Sequence, residues 1–332
     1  MKINNRVVGE KESPCFIIAE IGCNHNQDIN LAKRLIDTAV ECGVDAVKFQ
    51  KFVTSKLVST HQTQYNLLKK LELSDDAFLE LFPYTIKKGI IFLATPYDEE
   101  SVEFLDKLGV PAYKVASGDI TNIPLLNKIA LKNLPVILST GMSNLDEIKE
   151  AIDTIKDVGN EQIILMHCVS TYPTKIKDCN LKAINTLKQR FQLPVGFSDH
   201  SLGITMSIAA VALGSCVIER HFTLDRNLPG PDHFMSLTPN ELKELVKGIR
   251  EVEEGLGSGL KVPLECEQET IKTTRKSIVA IKDIPQGTTI TKDMVTIKRP
   301  GIGIAPKFIN KVVGKKVKRD ILEDSIINWE DI

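Results

Sequence analysis

The sequence predicts an α/β protein built on a (β/α)₈ TIM barrel, followed by a small β-rich domain. Eight short apolar runs recur along the chain, and amphipathic segments with helical periodicity separate them. The runs are apolar on both faces, which is typical of parallel strands covered by helices. A doubly wound open sheet is the alternative, but the segment AEIGCNHNQD after the first run lacks the GxGxxG spacing of a phosphate-binding turn.

The predicted strands follow one another along the first part of the chain. They are residues 15–19, 44–49, 90–94, 112–116, 135–139, 163–168, 194–197 and 215–219. The segments between them, such as 29–43, 145–159 and 239–257, place apolar residues three and four apart, which predicts helices with one buried face. We therefore expect the barrel domain to span residues 1–258.

The chain changes character after the last of these helices. Residues 259–276 are polar and irregular, which indicates a linker, and residues 277–332 then predict a small β-rich domain. A domain of this size lies near the lower limit for independent stability. We therefore expect it to dock on another surface.

Composition excludes several classes of partner. The 332 residues contain 42 Lys and Arg against 43 Asp and Glu, and a net charge of −1 gives no reason to expect nucleic acid or an anionic membrane. Neither a signal peptide nor a long apolar run is evident, so we expect no membrane span. The seven scattered cysteines form no CxxC pair, which argues against a disulfide framework or a cysteine zinc site and predicts a cytoplasmic location.

Polar residues stand at the end of every predicted strand, where barrel enzymes keep their chemistry. Lysine ammonium groups and hydroxyls brought together there would bind the phosphate or carboxylate of a small molecule. The residues proposed for this anion site are Lys48, Lys114, Thr95, Ser117, Ser139 and Ser198. The alternative is that each lysine is a solvated side chain at the start of a loop.

His200 and His221 follow neighbouring strands. Two neutral imidazoles could bind one divalent ion and leave positions open for water and substrate oxygens, which suits Mn²⁺ or Mg²⁺. Glu219 or Asp199 would then orient groups around the ion. The alternative is that His200 caps a helix starting near Ser201, while His221 is a hydrogen-bonded residue of the barrel mouth.

The remaining polar strand ends carry weaker signals. Asn24 and His25 would hold the loop that carries Glu20, and the two prolines of LPGPD would present Asp232 rigidly, with a solvated turn aspartate as the alternative. His61 is expected in a solvated loop, and we assign no chemistry to His233. Further mouth residues are expected at Gln50, Thr140, His167, Ser170 and Tyr172.

Taken together, several ordered motifs resemble the sialic acid synthase family. They include FIIAEIGCNHNQD, AVKFQKF, FLATPYD, YKVASGDITNIPLL, VILSTGMS, HCVSTYPT, VGFSDHSLGI, VIERHFTLDRNLPGPDH and IKRPGIGI. The resemblance extends to the C-terminus, where residues 277–332 are similar to the antifreeze-like, or SAF, domain.

The resemblance implies that phosphoenolpyruvate condenses with the open-chain aldehyde of an N-acylated mannosamine-type sugar, releasing phosphate by C–O cleavage. Phosphoenolpyruvate would contact Lys114, Thr95, Ser117, Ser139 and Ser198. The sugar would contact Glu20, Gln50, Tyr172 and Asp232. His200 and His221 would bind Mn²⁺, with Mg²⁺ or Co²⁺ as other possibilities, and the catalytic residues would be Glu20, Lys48, Lys114 and Glu219.

The resemblance also implies a domain-swapped homodimer, in which Arg299 of the partner subunit contacts the N-acyl group. The product expected first is N-acetylneuraminate, with N,N'-diacetyllegionaminate as the alternative because KFQKF departs from the KHQTH of many bacterial relatives; pseudaminate synthases are less similar. Two other function classes stay open: a Schiff-base aldolase using Lys48 or Lys114, and a non-catalytic carbohydrate- or ice-binding protein suggested by the C-terminal domain.

Overall fold

A closed barrel of eight parallel strands forms the centre of the first part of the chain. The computed structural model describes residues 1–10 and 12–332, which divide into two units, Met1–Gly257 and Ser258–Ile332. The barrel strands are β3 Phe16–Gly22, β4 Ala46–Lys51, β5 Ile91–Pro96, β6 Tyr113–Val115, β7 Val136–Ser139, β8 Ile163–Cys168, β9 Val195–Asp199 and β10 Val217–His221. β10 pairs with β3 and closes the ring, so the predicted TIM barrel is confirmed.

Helices follow the strands and pack around them. They are α1 Ile29–Cys42, α2 Thr54–Leu57, α3 Tyr65–Lys69, α4 Asp75–Lys87, α5 Glu99–Leu108, α6 Ile123–Ala130, α7 Leu145–Asp157, α8 Ala183–Phe191, α9 Thr205–Ala212 and α10 Pro239–Leu256. Local signals set their ends. The Asp28 side chain accepts hydrogen bonds at the start of α1, Gly43 ends it in the left-handed conformation, and Asn144 and Glu147 form a capping box on α7.

Two apolar cores divide the side chains of each barrel strand. Along each strand, every second residue packs between the strand and the helices, and the residues that alternate with these fill the barrel interior. The interior core contains Phe16, Ile18, Ala46, Ile91, Leu93, Ala112, Ile137, Ile164, Met166 and Val217. An N-terminal hairpin, β1 Lys2–Ile3 and β2 Arg6–Val7, adds Ile3 to this core. The next inward residues along each strand therefore lie at the opposite, carboxyl end of the barrel.

The second unit has its own apolar core around a two-stranded antiparallel sheet, β11 Ser277–Ala280 and β12 Val295–Lys298. Its helices are α11 Gln268–Thr274 and α12 Ile309–Val312. The segment predicted as a linker, 259–276, therefore contains a helix. Short 3₁₀ turns occur in both units, at Ser117–Asp119, Ile176–Asp178, His233–Met235, Glu265–Glu267, Lys292–Met294, Pro306–Phe308 and Trp329–Asp331.

Among the residues that the structure describes, every helix is too short or too polar to cross a membrane.

Candidate active site

Alternation along the strands selects the side chains that meet at the carboxyl end of the barrel. Inward residues that continue beyond the apolar core surround a small cavity of about 60 Å³. Its lining consists of Glu20, Lys48, Gln50, Thr95, Tyr97, Lys114, Ala116, Ser117, Ser139, Cys168, Tyr172, Ser198, His200, Glu219 and His221. The residues predicted for catalysis and for binding phosphoenolpyruvate, sugar or metal lie here, except Asp232, which is adjacent, and Arg299, an exposed residue of the second unit.

A second cavity of about 840 Å³ lies beside the first, between the loop after β7 and the start of α8. It is lined by residues such as Met142, Asn144 and Lys182, and by Thr140 and His167 of the predicted mouth residues, but not by the residues predicted to bind substrate or metal. We locate the candidate active site in the smaller cavity, because the convergence of titratable groups is there and size alone does not indicate chemistry.

Four charged side chains form a buried cluster on the floor of this cavity. Lys48 Nζ lies 2.7 Å from Glu20 Oε2 and 3.8 Å from Glu219 Oε1, and Lys114 Nζ lies 3.3 Å from Glu219 Oε1. The four side chains are 2–5 % exposed. The interpretation of these lysines as solvated loop residues is therefore wrong: they extend inward from strand interiors and contact buried glutamates.

Burial and neighbouring charges shift the pKa values of the two glutamates in opposite directions, and those of the two lysines likewise. Burial raises the pKa of Glu20 more than Lys48 lowers it, which favours its protonated form. Burial also acts on Glu219, but Lys114 and Lys48 outweigh it and lower the pKa of that carboxyl. Burial lowers the pKa of Lys114, whereas at Lys48 the two carboxylates outweigh burial and raise the pKa. The two carboxyl groups therefore suit different proton states in one cavity.

Hydroxyl groups lie around the lysines. Lys48 Nζ donates to Thr95 Oγ1 at 3.1 Å, and Ser198 Oγ donates to Glu219 Oε1 at 3.1 Å. Ser117 Oγ accepts from the Gly141 N–H at 3.0 Å, so a backbone donor of the loop after β7 points toward the same place. Lysine ammonium groups, hydroxyls and a backbone N–H together can bind a small anion.

The opposite side of the cavity carries groups suited to neutral polar ligands. Gln50 Nε2 donates to Glu20 Oε1 at 3.1 Å, and the Cys23 thiol lies 3.4 Å from Gln50 Oε1. The Tyr172 side chain forms part of the rim and is half exposed. Asp232 Oδ2 lies 3.7 Å from His221 Nδ1, with its side chain 23 % exposed. Asp232 is thus aimed at the mouth, so the solvated-turn alternative does not describe it.

The geometry of the two histidines fits ligation of a metal ion. The ring centroids of His200 and His221 are 5.6 Å apart. The Val169 carbonyl lies 3.0 Å from His200 Nδ1 and orients that ring, so Nε2 faces the cavity side where Ser198 lies. Burial lowers the pKa of His200 and lowers that of His221 to about 4, so both rings are neutral near pH 7, as ligation requires.

Few side chains at this place could ligate a metal ion. Across residues 1–10 and 12–332, no group of three or more His, Cys, Asp or Glu side chains is arranged to hold an ion. A metal bound by these two imidazoles would therefore keep most of its coordination positions for water or substrate oxygens. The helix-cap alternative for His200 is wrong, because α9 begins at Thr205 with Ile204 at its N-cap.

Several strand-end residues lie outside the cavity. His167 is bound to the Cys179 carbonyl at 2.8 Å, and Thr140 donates to the Met166 carbonyl, so both face away from the site. Asp199 pairs with Arg220 on the outer face of the barrel rather than facing the mouth. The Ser170 hydroxyl is buried near Gly141.

Three further residues outside the cavity hold loops or face solvent. Asn24 bonds the Phe222 carbonyl and Ser236, which ties together the loops after β3 and β10 as expected. His233 bonds Thr223 at 2.7 Å, and His61 is exposed.

Two further side chains of the cavity lining, Tyr97 and Cys168, were not predicted from the sequence. Both follow the alternation: Leu93 and Thr95 precede Tyr97 on the inward face of β5, and Ile164 and Met166 precede Cys168 on that of β8. The period of two along each strand would have selected Cys168 over its neighbour His167.

Models of two protein families match the chain. Residues 35–261 match the NeuB family, and residues 275–332 match the SAF domain. The chain is 45 % identical over 349 residues to an N,N'-diacetyllegionaminic acid synthase of Legionella pneumophila, covering 100 % of this chain and 98 % of that protein. It is 43 % identical over 343 residues to the N-acetylneuraminate-9-phosphate synthase of Mus musculus, covering 98 % and 95 % of the two chains.

Among solved structures, an N-acetylneuraminic acid (sialic acid) synthetase from Leptospira borgpetersenii in complex with citrate superposes with a TM-score of 0.78 at 41 % identity. The alignment covers 82 % of this chain and 94 % of that chain. The relatives named here are synthases that make nonulosonic acids. With a family match over more than half of its length and these identities, the chain belongs to the NeuB family of nonulosonic acid synthases.

Proposed function

We propose that this protein condenses phosphoenolpyruvate with the open-chain aldehyde of an N-acylated mannosamine-type sugar, forming a nonulosonic acid and inorganic phosphate. One observation carries the proposal: Lys48, Lys114, Glu20 and Glu219 form a buried cluster beside the two neutral histidines. An anion site, two carboxyl groups of opposite proton preference and an open metal site are the parts that such a condensation needs.

The reaction balances as one phosphoenolpyruvate, one aldehyde and one water giving one ulosonic acid and one phosphate. The methylene carbon of phosphoenolpyruvate forms a bond to the aldehyde carbon, and the aldehyde oxygen takes up a proton. Water adds to the second carbon of phosphoenolpyruvate, whose bond to the bridging oxygen then breaks as phosphate leaves.

Each group of cavity residues has a role that follows from its position. Lys114 and the hydroxyls of Thr95, Ser117, Ser139 and Ser198 bind the phosphate and carboxylate of phosphoenolpyruvate. Lys48 adds positive charge beside the reacting carbons. Glu219, held by Ser198 and Lys114, accepts a proton from the attacking water, and Glu20 holds a proton toward the sugar oxygen. Gln50, Tyr172 and Asp232 bind the sugar.

His200 and His221 would hold a divalent ion, and Mn²⁺ is the proposed metal, with Mg²⁺ or Co²⁺ as substitutes. When bound, such an ion polarises an aldehyde oxygen and lowers the pKa of bound water. Both imidazoles are neutral and His200 is pre-oriented by Val169, which supports the assignment.

Two sugars are candidates for the substrate. N-acetylmannosamine, giving N-acetylneuraminate, is our first assignment. The 2,4-diacetamido-2,4,6-trideoxymannose precursor of N,N'-diacetyllegionaminate is the second, and the 45 % identity to the Legionella pneumophila protein supports it. The phosphorylated sugar implied by the name of the mouse relative is a third variant of the same reaction.

A substrate panel tests the proposal. Metal-depleted protein reloaded with Mn²⁺ is incubated with phosphoenolpyruvate and each sugar in turn, with free and 6-phosphorylated N-acetylmannosamine both included. Phosphate release and product mass are measured. We expect metal-dependent release with one of them, and no release from folded, reloaded protein with any sugar would refute the proposal.

The remaining expectations concern assembly and the competing chemistry. We propose a cytoplasmic homodimer in which Arg299 of the partner subunit contacts the N-acyl group of the sugar. A Schiff-base aldolase is distinguished by borohydride: covalent trapping of a keto acid together with chelator-insensitive turnover would favour it. At Lys48 the two carboxylates raise the pKa, which disfavours that lysine as an amine nucleophile.

A further inference from the structure

A buried ion pair lies on the outer face of the barrel, directly behind the two histidines. Asp199 on β9 and Arg220 on β10 are register partners on neighbouring strands. Arg220 Nη1 donates to Asp199 Oδ2 at 2.5 Å, and the two side chains are 1 % and 0 % exposed. Neither group reaches the cavity, so the reaction itself gives the pair no role.

We propose that Asp199 and Arg220 are positioning residues that hold His200 and His221 for metal binding; this inference rests on the proposed function. Each member is flanked in sequence by site residues, Asp199 by Ser198 and His200, and Arg220 by Glu219 and His221. Successive side chains of a strand point to opposite faces, so anchoring the outward residue sets the direction of its inward neighbours.

The pair also anchors the loop that follows His200. Arg220 Nη2 donates to the Ser201 carbonyl at 2.7 Å, and Nη1 donates to the Gly203 carbonyl at 2.8 Å. Asp199 Oδ1 accepts from the Ser201 N–H at 2.8 Å, and its Oδ2 accepts from Ser207 Oγ at 2.6 Å. The chain leaving His200 is therefore held at Ser201, Gly203 and Ser207 by two buried, charged groups.

The peptide group that joins His221 to Phe222 is hydrogen-bonded at both its N–H and its carbonyl. The Phe222 N–H donates to the Glu20 carbonyl and the Leu237 N–H donates to the His221 carbonyl, each at 2.8 Å. A buried ion pair adds little net stability compared with apolar residues of similar volume, so fold stability alone does not account for the pair. The planar fork of Arg220, which binds one carboxylate and two carbonyls at once, supplies directional constraint instead.

Manganese binding to metal-depleted protein tests the inference, with free Mn²⁺ measured by electron paramagnetic resonance. Asp199→Asn removes the charge while keeping the shape, and Arg220→Lys keeps the charge while losing the fork. We expect Asp199→Asn to weaken Mn²⁺ binding by about 10–100-fold, as for other groups that orient metal ligands, and Arg220→Lys to fall between that variant and wild type.

Asp45→Asn is the matched control. Asp45 is also a buried carboxylate, 8 % exposed, that accepts from the Ile17 N–H at 2.9 Å and pairs with Arg250 at 3.3 Å, but it precedes β4 at the other end of the barrel. The Asp45→Asn substitution should lower the Tm of the metal-free protein and leave the Kd for Mn²⁺ unchanged.

The inference is overturned if Asp199→Asn and Arg220→Lys bind Mn²⁺ within about twofold of wild type while their Tm values fall as in the control. If circular dichroism shows that Asp199→Asn does not fold, Arg220→Lys decides by the same criterion. Wild-type protein that binds no Mn²⁺ would instead refute the proposed metal site, so the two failures are distinguishable.

Discussion

Lys48 Nζ lies 2.7 Å from Glu20 Oε2 although the residues sit on different strands, and the two side chains are 3 % and 2 % exposed. The pair connects two sides of the cavity, because Glu20 also accepts from Gln50 while Lys48 donates to Thr95. One buried ion pair therefore joins the proposed sugar side to the proposed phosphate side.

Glu20→Gln keeps the shape of the side chain but can no longer hold or release a proton. We expect kcat to fall by about 10²–10⁴-fold, the usual contribution of a proton-transfer group, with the far-ultraviolet circular dichroism unchanged. Phosphate release measures the effect. Glu80→Gln, at an exposed glutamate paired with Lys33, is the control and should retain full activity. Activity of Glu20→Gln within tenfold of wild type would contradict the role.

Lys114→Met removes the ammonium group that lies 3.3 Å from Glu219. Phosphoenolpyruvate loses a positive charge, so we expect its KM to rise and kcat/KM to fall by about 10²–10³-fold. Lys128→Met, at a partly exposed surface lysine paired with Glu103, is the comparison variant. An unchanged KM for phosphoenolpyruvate would place the anion elsewhere in the cavity.

Metal removal should change both activity and thermal stability. A ligand that binds only the folded state stabilises it by about 2.7 kcal/mol at a concentration 100 times its Kd, so Mn²⁺ should raise the Tm of chelator-treated protein. His221→Ala should abolish this rise, whereas His61→Ala, at an exposed histidine, should retain it. A Tm that rises equally in His221→Ala would show that the ion binds at another place.

Mixing two inactive variants tests the proposed domain-swapped dimer. Lys114→Met inactivates its own barrel, and Arg299→Ala removes the group expected to reach the partner's barrel. After subunit exchange, a mixed dimer has one site in which both groups are wild type, so activity should reappear. If the mixture shows no more activity than the two parents do separately, Arg299 does not act on the barrel of the partner subunit. Lys298→Ala provides the control for the neighbouring exposed residue.

Gly196 on β9 has no room for a methyl group. A Cβ there would lie 2.4 Å from Met166 Sδ and 2.7 Å from Val217 Cβ in the barrel interior. Gly196→Ala should therefore lower the free energy of unfolding by about 1–3 kcal/mol. Gly255→Ala lies in α10 with open space around it among the described residues, and should stabilise the protein by up to about 1 kcal/mol. Chemical denaturation measures both changes, and equal effects would contradict the packing argument.

Much of the fold was predictable because its signals are local. The apolar runs placed every barrel strand, and β9 and β10 begin one or two residues later than predicted and extend two residues farther, to Asp199 and His221. The extension matters for the site. It places Ser198 and His221 within strands, where alternation sets their direction, rather than in loops.

The sequence by itself determined the architecture, the family and most of the residues around the cavity, because hydrophobic periodicity and ordered motifs are properties of the chain alone. Only the tertiary structure decided which of the two alternating sets of residues on each strand faces inward, so that Cys168 lines the cavity while His167 and Asp199 do not. Parallel pairing also brought Lys48 and Lys114 within reach of Glu20 and Glu219. Residues far apart in sequence acquire partners, and shifted pKa values, only when the barrel closes and excludes water around them.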